Sequence, residues 1–230
     1  MTHAVKFHPG LMLLEQYVEG SLSADVAIAV SAHVDLCPHC QQLSKDITND
    51  QAAVLSEQEV NSRDSEHEWQ QMLNFITSQP VLTSGAAATQ TNVAPQVASV
   101  TVNGRTFEIP RALARLAEKQ NKWLHLGGIA TAKLPTADKQ HVSLLYIDKG
   151  TEVPNHTHLG LEMTLVLAGK IVDENGEYGV GDLLINSPDD THTPRTLADE
   201  DCLCLSVLSA PLKFNKGLTR LLNPLQQFFY

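Results

Sequence analysis

Apolar residues recur at helical intervals over the first 80 positions, and beyond residue 99 they alternate or run in short blocks, so the pattern changes language partway along the chain. Leu11, Leu14 and Val18 fall on one stripe that Gly20 stops, and Ser23 is placed to cap a second helix carrying Val26, Ala29 and Val30. Pro38 suits the first turn of a third helix capped by Cys37. Ser65 and Glu68 have capping-box spacing ahead of Trp69, Met72, Leu73 and Ile76, which repeat at helical intervals. The pattern predicts a small bundle of four helices. The stretch "QPVLTSGAAATQTNVAPQVAS" at 79 to 99 is small, polar, uncharged and bracketed by prolines, which reads as a linker. After it, "VTVNGRTFEI" predicts a hairpin around Asn103-Gly104, and "HVSLLYID", "EMTLVLAG", "KIVDENGEYGV" and "DCLCLSVL" read as strands. One short helix is expected over 110–119. Short strands at regular spacing imply a sandwich or barrel. The expected organisation is multi-domain α plus β: a helical domain over 1–79, a linker over 80–98 and a β domain over 99–230.

Composition narrows this in three ways. The 230 residues suffice for two small cores without help from disulfides. Apolar runs such as "SLLYI" are far shorter than the ~20 residues a membrane span needs, and "MTHAVKFHPG" lacks the pattern of a secretory signal. A soluble, cytoplasmic protein is therefore expected, with no membrane partner. The four cysteines form two close pairs, Cys37 with Cys40 and Cys202 with Cys204, a layout that favours metal binding or burial over a secreted disulfide framework. Charge is lopsided: residues 1–80 carry three basic against eleven acidic side chains. Such a surface repels phosphates and suits a basic protein partner, which argues against direct contact with nucleic acid.

His33, Cys37 and Cys40 are spaced i, i+4, i+7, so a helix or helix-turn-helix corner turns all three to one side. Thiolates and imidazole in a set of four are the donors of closed structural zinc sites, and His8 is the best-placed fourth ligand. A redox pair or two buried thiols are the alternatives, although a thioredoxin-like role wants a strand-helix context that Leu36 and its helical neighbours do not provide. The segments "HPGLMLLEQYVEGSL" and "HVDLCPHC" resemble the N-terminal zinc domain of the ChrR family of anti-sigma factors. The resemblance implies that His8, His33, Cys37 and Cys40 hold one zinc. It also implies that these helices grip an ECF-type sigma factor, occluding the surfaces that sigma uses to reach RNA polymerase.

The stretch "GTEVPNHTHLGLEMTLVLAG" matches the spacing of the first cupin motif at Gly150, His156, His158, Glu162 and Gly169. His156 and His158 alternate by two, so they share one face of a strand, and Glu162 returns beside them. His192 lies eleven residues after Gly181, as in the second cupin motif, although Asp190 stands in the expected glycine region and Thr196 at the expected asparagine. Three imidazoles and a carboxylate suit zinc, iron, manganese or nickel. His125 and His141 are read as core histidines bonded to backbone. Cys202 and Cys204 are read as packing residues, with a sensing thiol pair as the alternative. The tail "LKFNKGLTRLLNPLQQFFY" is expected to cover a barrel edge or meet a partner. Resemblance to the ChrR family extends over this half as well. It implies a cupin β-barrel that tunes the anti-sigma domain in response to an oxidant, singlet oxygen for example, or to a small molecule, without being an enzyme. The rival expectation is a cupin dioxygenase with a helical dimerisation domain.

Overall fold

A computed structural model describes residues 4–57, 66–79, 98–136 and 141–215. Four helices occupy the N-terminal third: α1 (Leu11–Glu19), α2 (Ala24–Leu36), α3 (Pro38–Glu57) and α4 (Glu66–Ser78). Gly20 ends α1 at φ 70, the left-handed conformation that terminates helices at low steric cost. Ser23 occupies the cap position of α2 without a side-chain hydrogen bond. The capping box expected at Ser65, most of the linker and the end of the C-terminal tail lie outside the described residues.

The chain forms two compact units. One joins residues 1–47 to 97–230, and the other covers 48–96. The packing break therefore falls inside α3, whereas the change of composition comes some thirty residues later. In the second unit, α4 presents Trp69, Met72, Leu73, Phe75 and Ile76, each at least 44% exposed.

In the first unit, β1 (Ser99–Val102) and β2 (Arg105–Glu108) form the expected hairpin. Its turn residues Asn103 and Gly104 have φ of 50 and 75, the pairing that matches strand twist. A 3-10 turn and the one-turn helix α5 (Ala114–Ala117) follow. The remaining strands are β3 (Leu124–Leu126), β4 (Ile129–Lys133), β5 (His141–Ile147), β6 (His156–His158), β7 (Glu162–Ala168), β8 (Lys170–Val172), β9 (Glu177–Gly179), β10 (Leu183–Asn186), β11 (Thr191–His192), β12 (Cys202–Leu208) and β13 (Leu212–Phe214). A six-stranded sheet runs β10-β7-β12-β5-β4-β3, a three-stranded sheet runs β11-β6-β13, and β8 pairs with β9, all antiparallel. "KIVDENGEYGV" is thus a hairpin rather than one strand, turned where Asp173 Oδ1 accepts the N–H groups of Asn175 and Gly176.

Apart from its exposed edge strand β3, the large sheet is largely buried on both faces, which is why its strands read as apolar runs. Leu144, Leu165, Leu203 and Leu205 face one core, which they share with Leu14, Ala29, Val30 and Ala32 of α1 and α2. Each such side chain stabilises the fold by roughly 1.5–3 kcal/mol relative to exposure. The alternate residues Ile147, Val166, Cys202 and Cys204 face a second core with Ile171, Tyr178 and Leu184. The helical start of the chain is therefore not an appendage, because it covers the back of the barrel sheet. The extended segment before α1 is fastened there too. Lys6 and Phe7 donate their backbone N–H groups to Asp182 Oδ1 at 2.6 and 3.0 Å, and Leu183 N–H donates to Phe7 O at 3.0 Å. A Cβ on Gly181, which sits at φ +93, would come within 2.7 Å of Val5, so close approach and backbone conformation both call for glycine.

Candidate metal centres

Each predicted donor set assembles, and the two sets lie on opposite sides of the barrel's large sheet. The first forms where α2 breaks. Cys37 is extended at φ -115 and ψ 101, the conformation that the following Pro38 enforces, and α3 starts at once. Cys37 O accepts the N–H of Gln41 and Cys37 Sγ that of Cys40, so the residue caps α3 with both groups. The break turns His33, Cys37 and Cys40 inward, and the fastened segment delivers His8. Its Nδ1 lies 3.4 Å from each thiol sulfur. All four candidate ligand atoms fall within 4.8 Å of one another.

The chemistry of these donors fits a soft tetrahedral ion. Zn–N and Zn–S bonds of about 2.0–2.3 Å place neighbouring ligand atoms roughly 3.4–3.8 Å apart. His33 Nδ1 lies 2.7 Å from Gly181 O, and because a carbonyl only accepts, the proton sits on Nδ1 and Nε2 offers its lone pair to the cluster. That Nε2 is buried and has no hydrogen-bond partner among the described residues, the signature of an atom awaiting a ligand. Burial lowers the His33 pKa to about 4, against the opposing pull of Gly181 O, so the ring is neutral as a ligand must be. Burial and the neighbouring Cys37 push the Cys40 thiol up to about 12. A divalent ion would reverse that preference and hold thiolates. His39, on the exposed face of α3, only packs edge-on against His8 at 5.2 Å between ring centres.

The second set lies inside the barrel. His156 and His158 point inward from β6, Glu162 opens β7, and His192 arrives on β11, directly paired with His156. His158 Nε2 is 2.7 Å and His192 Nε2 3.6 Å from Glu162 Oε2, and His192 Nε2 is 3.1 Å from His156 Nε2. Both ring nitrogens of His158 are nonetheless buried without a hydrogen bond, so the close approach to Glu162 is not aligned as one. Outer partners fix two of the rings. His156 Nδ1 donates to Pro154 O at 2.8 Å, and His192 Nδ1 lies 3.2 Å from Asp173 Oδ2, each leaving Nε2 to face the centre. Asn186 Nδ2 donates to Glu162 Oε2 at 3.0 Å. Burial lowers the His156 pKa to about 4. Burial alone would raise Glu162, but the close imidazoles of His158 and His192 outweigh it and hold the carboxyl well below its usual range. His192 is lowered by burial yet raised on balance by Glu162 and Asp173. Three imidazoles and a carboxylate converge, which fits a borderline transition ion.

Asp173, Asn186 and Asp182 were not singled out in the sequence, and Gly181 was read only as the start of the second motif. No period marks them, and Asp173 looks like any turn aspartate. The departures from the second motif are absorbed locally: Asp190 Oδ2 accepts the Ser187 N–H and hydroxyl, and the Thr196 hydroxyl accepts the Thr151 N–H and donates to Asp148 O. His125 departs from expectation. It is exposed on the edge strand β3, where among the described residues no second layer covers it, and Nε2 pairs with Asn103 Oδ1 at 2.9 Å. His141 is buried as expected. Cys202 and Cys204 are buried free thiols with sulfurs 3.5 Å apart, and the Cys202 thiol is pushed well up by its hydrogen bond with Cys204 and by burial.

Known proteins resemble this chain along its length. The ChrR Cupin-like domain family matches residues 113–211. An anti-sigma-E factor ChrR from Cereibacter sphaeroides is 30% identical over 227 residues, covering 96% of this chain and 97% of that protein. The chain belongs to the ChrR family of anti-sigma factors. A chain in the crystal structure of Rhodobacter sphaeroides SigE in complex with the anti-sigma ChrR superposes with a TM-score of 0.67, at 24% identity, over 89% of this chain and 99% of that one. The fold is thus a helical N-terminal region joined to a cupin-like β domain, as the resemblance implied. No helix among the described residues is long and apolar enough to cross a membrane.

Proposed function

We propose that this ChrR-family protein is an anti-sigma factor. It sequesters an ECF-type sigma factor through its N-terminal helices and releases it when the cupin half senses an oxidant or small molecule. The observation that carries the reading is likeness to an anti-sigma factor along both halves of the chain, with all eight candidate ligands in place. The acidic first 80 residues and the exposed apolar residues of α4 suit a basic protein partner with an apolar groove. In this reading residues 1–79 act as the gripping module, 80–98 as linker and 99–230 as sensor, and the protein works in the cytoplasm without catalysing a reaction.

His8, His33, Cys37 and Cys40 would hold a structural zinc, and His156, His158, Glu162 and His192 a zinc, iron, manganese or nickel ion. The first ion would supply cross-linking of the segment before α1 to the α2–α3 corner. His33 is oriented for that task by Gly181 O, and His192 by Asp173. Co-expression with an ECF sigma factor followed by size-exclusion chromatography and metal analysis of the peak tests the proposal. Co-elution with about two metal ions per chain is expected. Cys37→Ser abolishes co-elution, whereas His158→Ala leaves it intact and blunts release by oxidant; the reverse pattern would overturn this division of labour. A second reading, catalysis at the cupin centre, draws on the cavity of about 570 Å³ that reaches it. Turnover of small dicarbonyl or thiol substrates by iron-loaded protein would favour that reading.

A further inference from the structure

The barrel cavity is graded in polarity. His156, Glu162 and His192 form one part of its wall, and much of the rest is leucine, isoleucine and phenylalanine from both sheets, with Leu124 and Leu126 half exposed at the edge strand. Alternation along β4, β5, β7 and β12 builds this wall: the residues that do not face α2 face the cavity. Among the described residues no lysine or arginine lines it, while Glu152, Glu162 and Asp173 do. A phosphate ester or other polyanion would enter without a cation to meet it and with carboxylates to repel it. Its hydrogen-bonding side chains include one row of hydroxyls, Ser143, Ser206 and Thr164, paired across β5, β12 and β7, and the apolar side chains around that row would leave most hydroxyls of a sugar unpartnered. The remaining match is a molecule with an apolar body and one oxygen donor.

Resting on the reading of this half as the sensor, we infer that the cavity is a binding site for an apolar molecule of about 10–15 heavy atoms. It bears a single terminal oxygen donor, a carboxylate or a hydroxyl. At the ~30 Å³ that a water-sized group occupies in a liquid, the volume of about 570 Å³ admits such a molecule beside a metal ion. The oxygen faces His156, Glu162 and His192 and completes the coordination of the ion they hold. The chain lies along Leu145, Ile147 and Leu208. An ion held by three imidazoles and one carboxylate would supply a Lewis-acid contact for such an oxygen, and the rest of the affinity comes from burying methylenes.

Isothermal titration calorimetry on the zinc-loaded full-length protein tests the site, with hexanoate, octanoate and decanoate as probes, 1-decanol as the uncharged arm and glucose 6-phosphate as the polyanion. Affinity is expected to rise about fourfold per added methylene. Removing zinc is expected to weaken decanoate at least tenfold while the chain-length slope persists. If decanol matches decanoate the donor is a neutral oxygen, and if decanoate is much tighter it is a carboxylate; either result supports the site. Thr131→Trp fills the cavity from β4 and should weaken decanoate at least tenfold, with circular dichroism confirming an unchanged fold. Affinities flat in chain length, zinc-independent binding, or glucose 6-phosphate binding as tightly as decanoate would overturn the inference. Co-elution with the sigma factor, measured on the same preparations, separates this failure from failure of the anti-sigma reading, because an empty cavity leaves sequestration intact.

Discussion

The two donor clusters differ in what would hold them together without an ion. The cupin set sits on strands that pair with one another residue by residue, His192 opposite His156 and Asn186 opposite Glu162, so hydrogen-bonded ladders fix its geometry before any metal arrives. The N-terminal set joins an extended segment, a helix end and a helix start, and His8 meets the α2–α3 corner through the cluster itself, at sulfur–nitrogen distances of 3.4 Å, and through its edge-on contact with His39. One centre decorates a fold; the other completes one. That contrast suits a protein whose two halves do different jobs, since loss of an ion in a ladder alters chemistry whereas loss of an ion in a cross-link alters shape.

The largest effect should come from Cys37→Ser, which removes both a candidate zinc ligand and the sulfur that caps α3. Structural zinc contributes on the order of 10 kcal/mol, so helical circular dichroism should drop and melting should broaden as residues 4–47 loosen. An unaltered spectrum and sigma affinity would show that the cluster is only packing. Glu162→Ala should abolish metal retention in the cupin half while the barrel stays folded, read by elemental analysis after dialysis against a mild chelator. Asp173→Asn leaves all four ligands in place but weakens the orientation of His192, and metal affinity should fall about 10–100-fold. The smallest expected effect is on pH. His33, His141 and His156 are each held near a pKa of about 4 by burial, so the unfolded chain binds more protons than the folded one between pH 6.5 and 4. Metal-free protein should therefore lose stability as pH falls through that window. His141→Gln, which touches neither cluster, should make the loss shallower, as monitored by denaturant midpoints.

That each donor set would converge was legible in the sequence because its members are spaced to share a face: His33, Cys37 and Cys40 follow a helical period, and His156 and His158 follow a strand period. Helices and most strands were legible for the same reason, since burial repeats with the element. What joins the two halves was not. Gly181 is 148 positions from His33, and Asp182 is 176 from Lys6, with no period linking them. The division of α3 between two packed units was equally hidden, because composition reports solvent preference rather than which neighbour a helix covers. His125 was misread because a histidine among apolar residues looks buried until the strand is known to be an edge.

Asp182 is fully buried and accepts three backbone N–H groups, from Lys6 and Phe7 on one oxygen and Gly179 on the other. Peeling the segment that bears His8 off the barrel would strand a carboxylate charge where water is scarce, so detachment and flooding of that pocket have to happen together. The fastening therefore sets a threshold: small tremors in the barrel would leave the His8 cluster undisturbed, and a disturbance large enough to wet Asp182 would free His8.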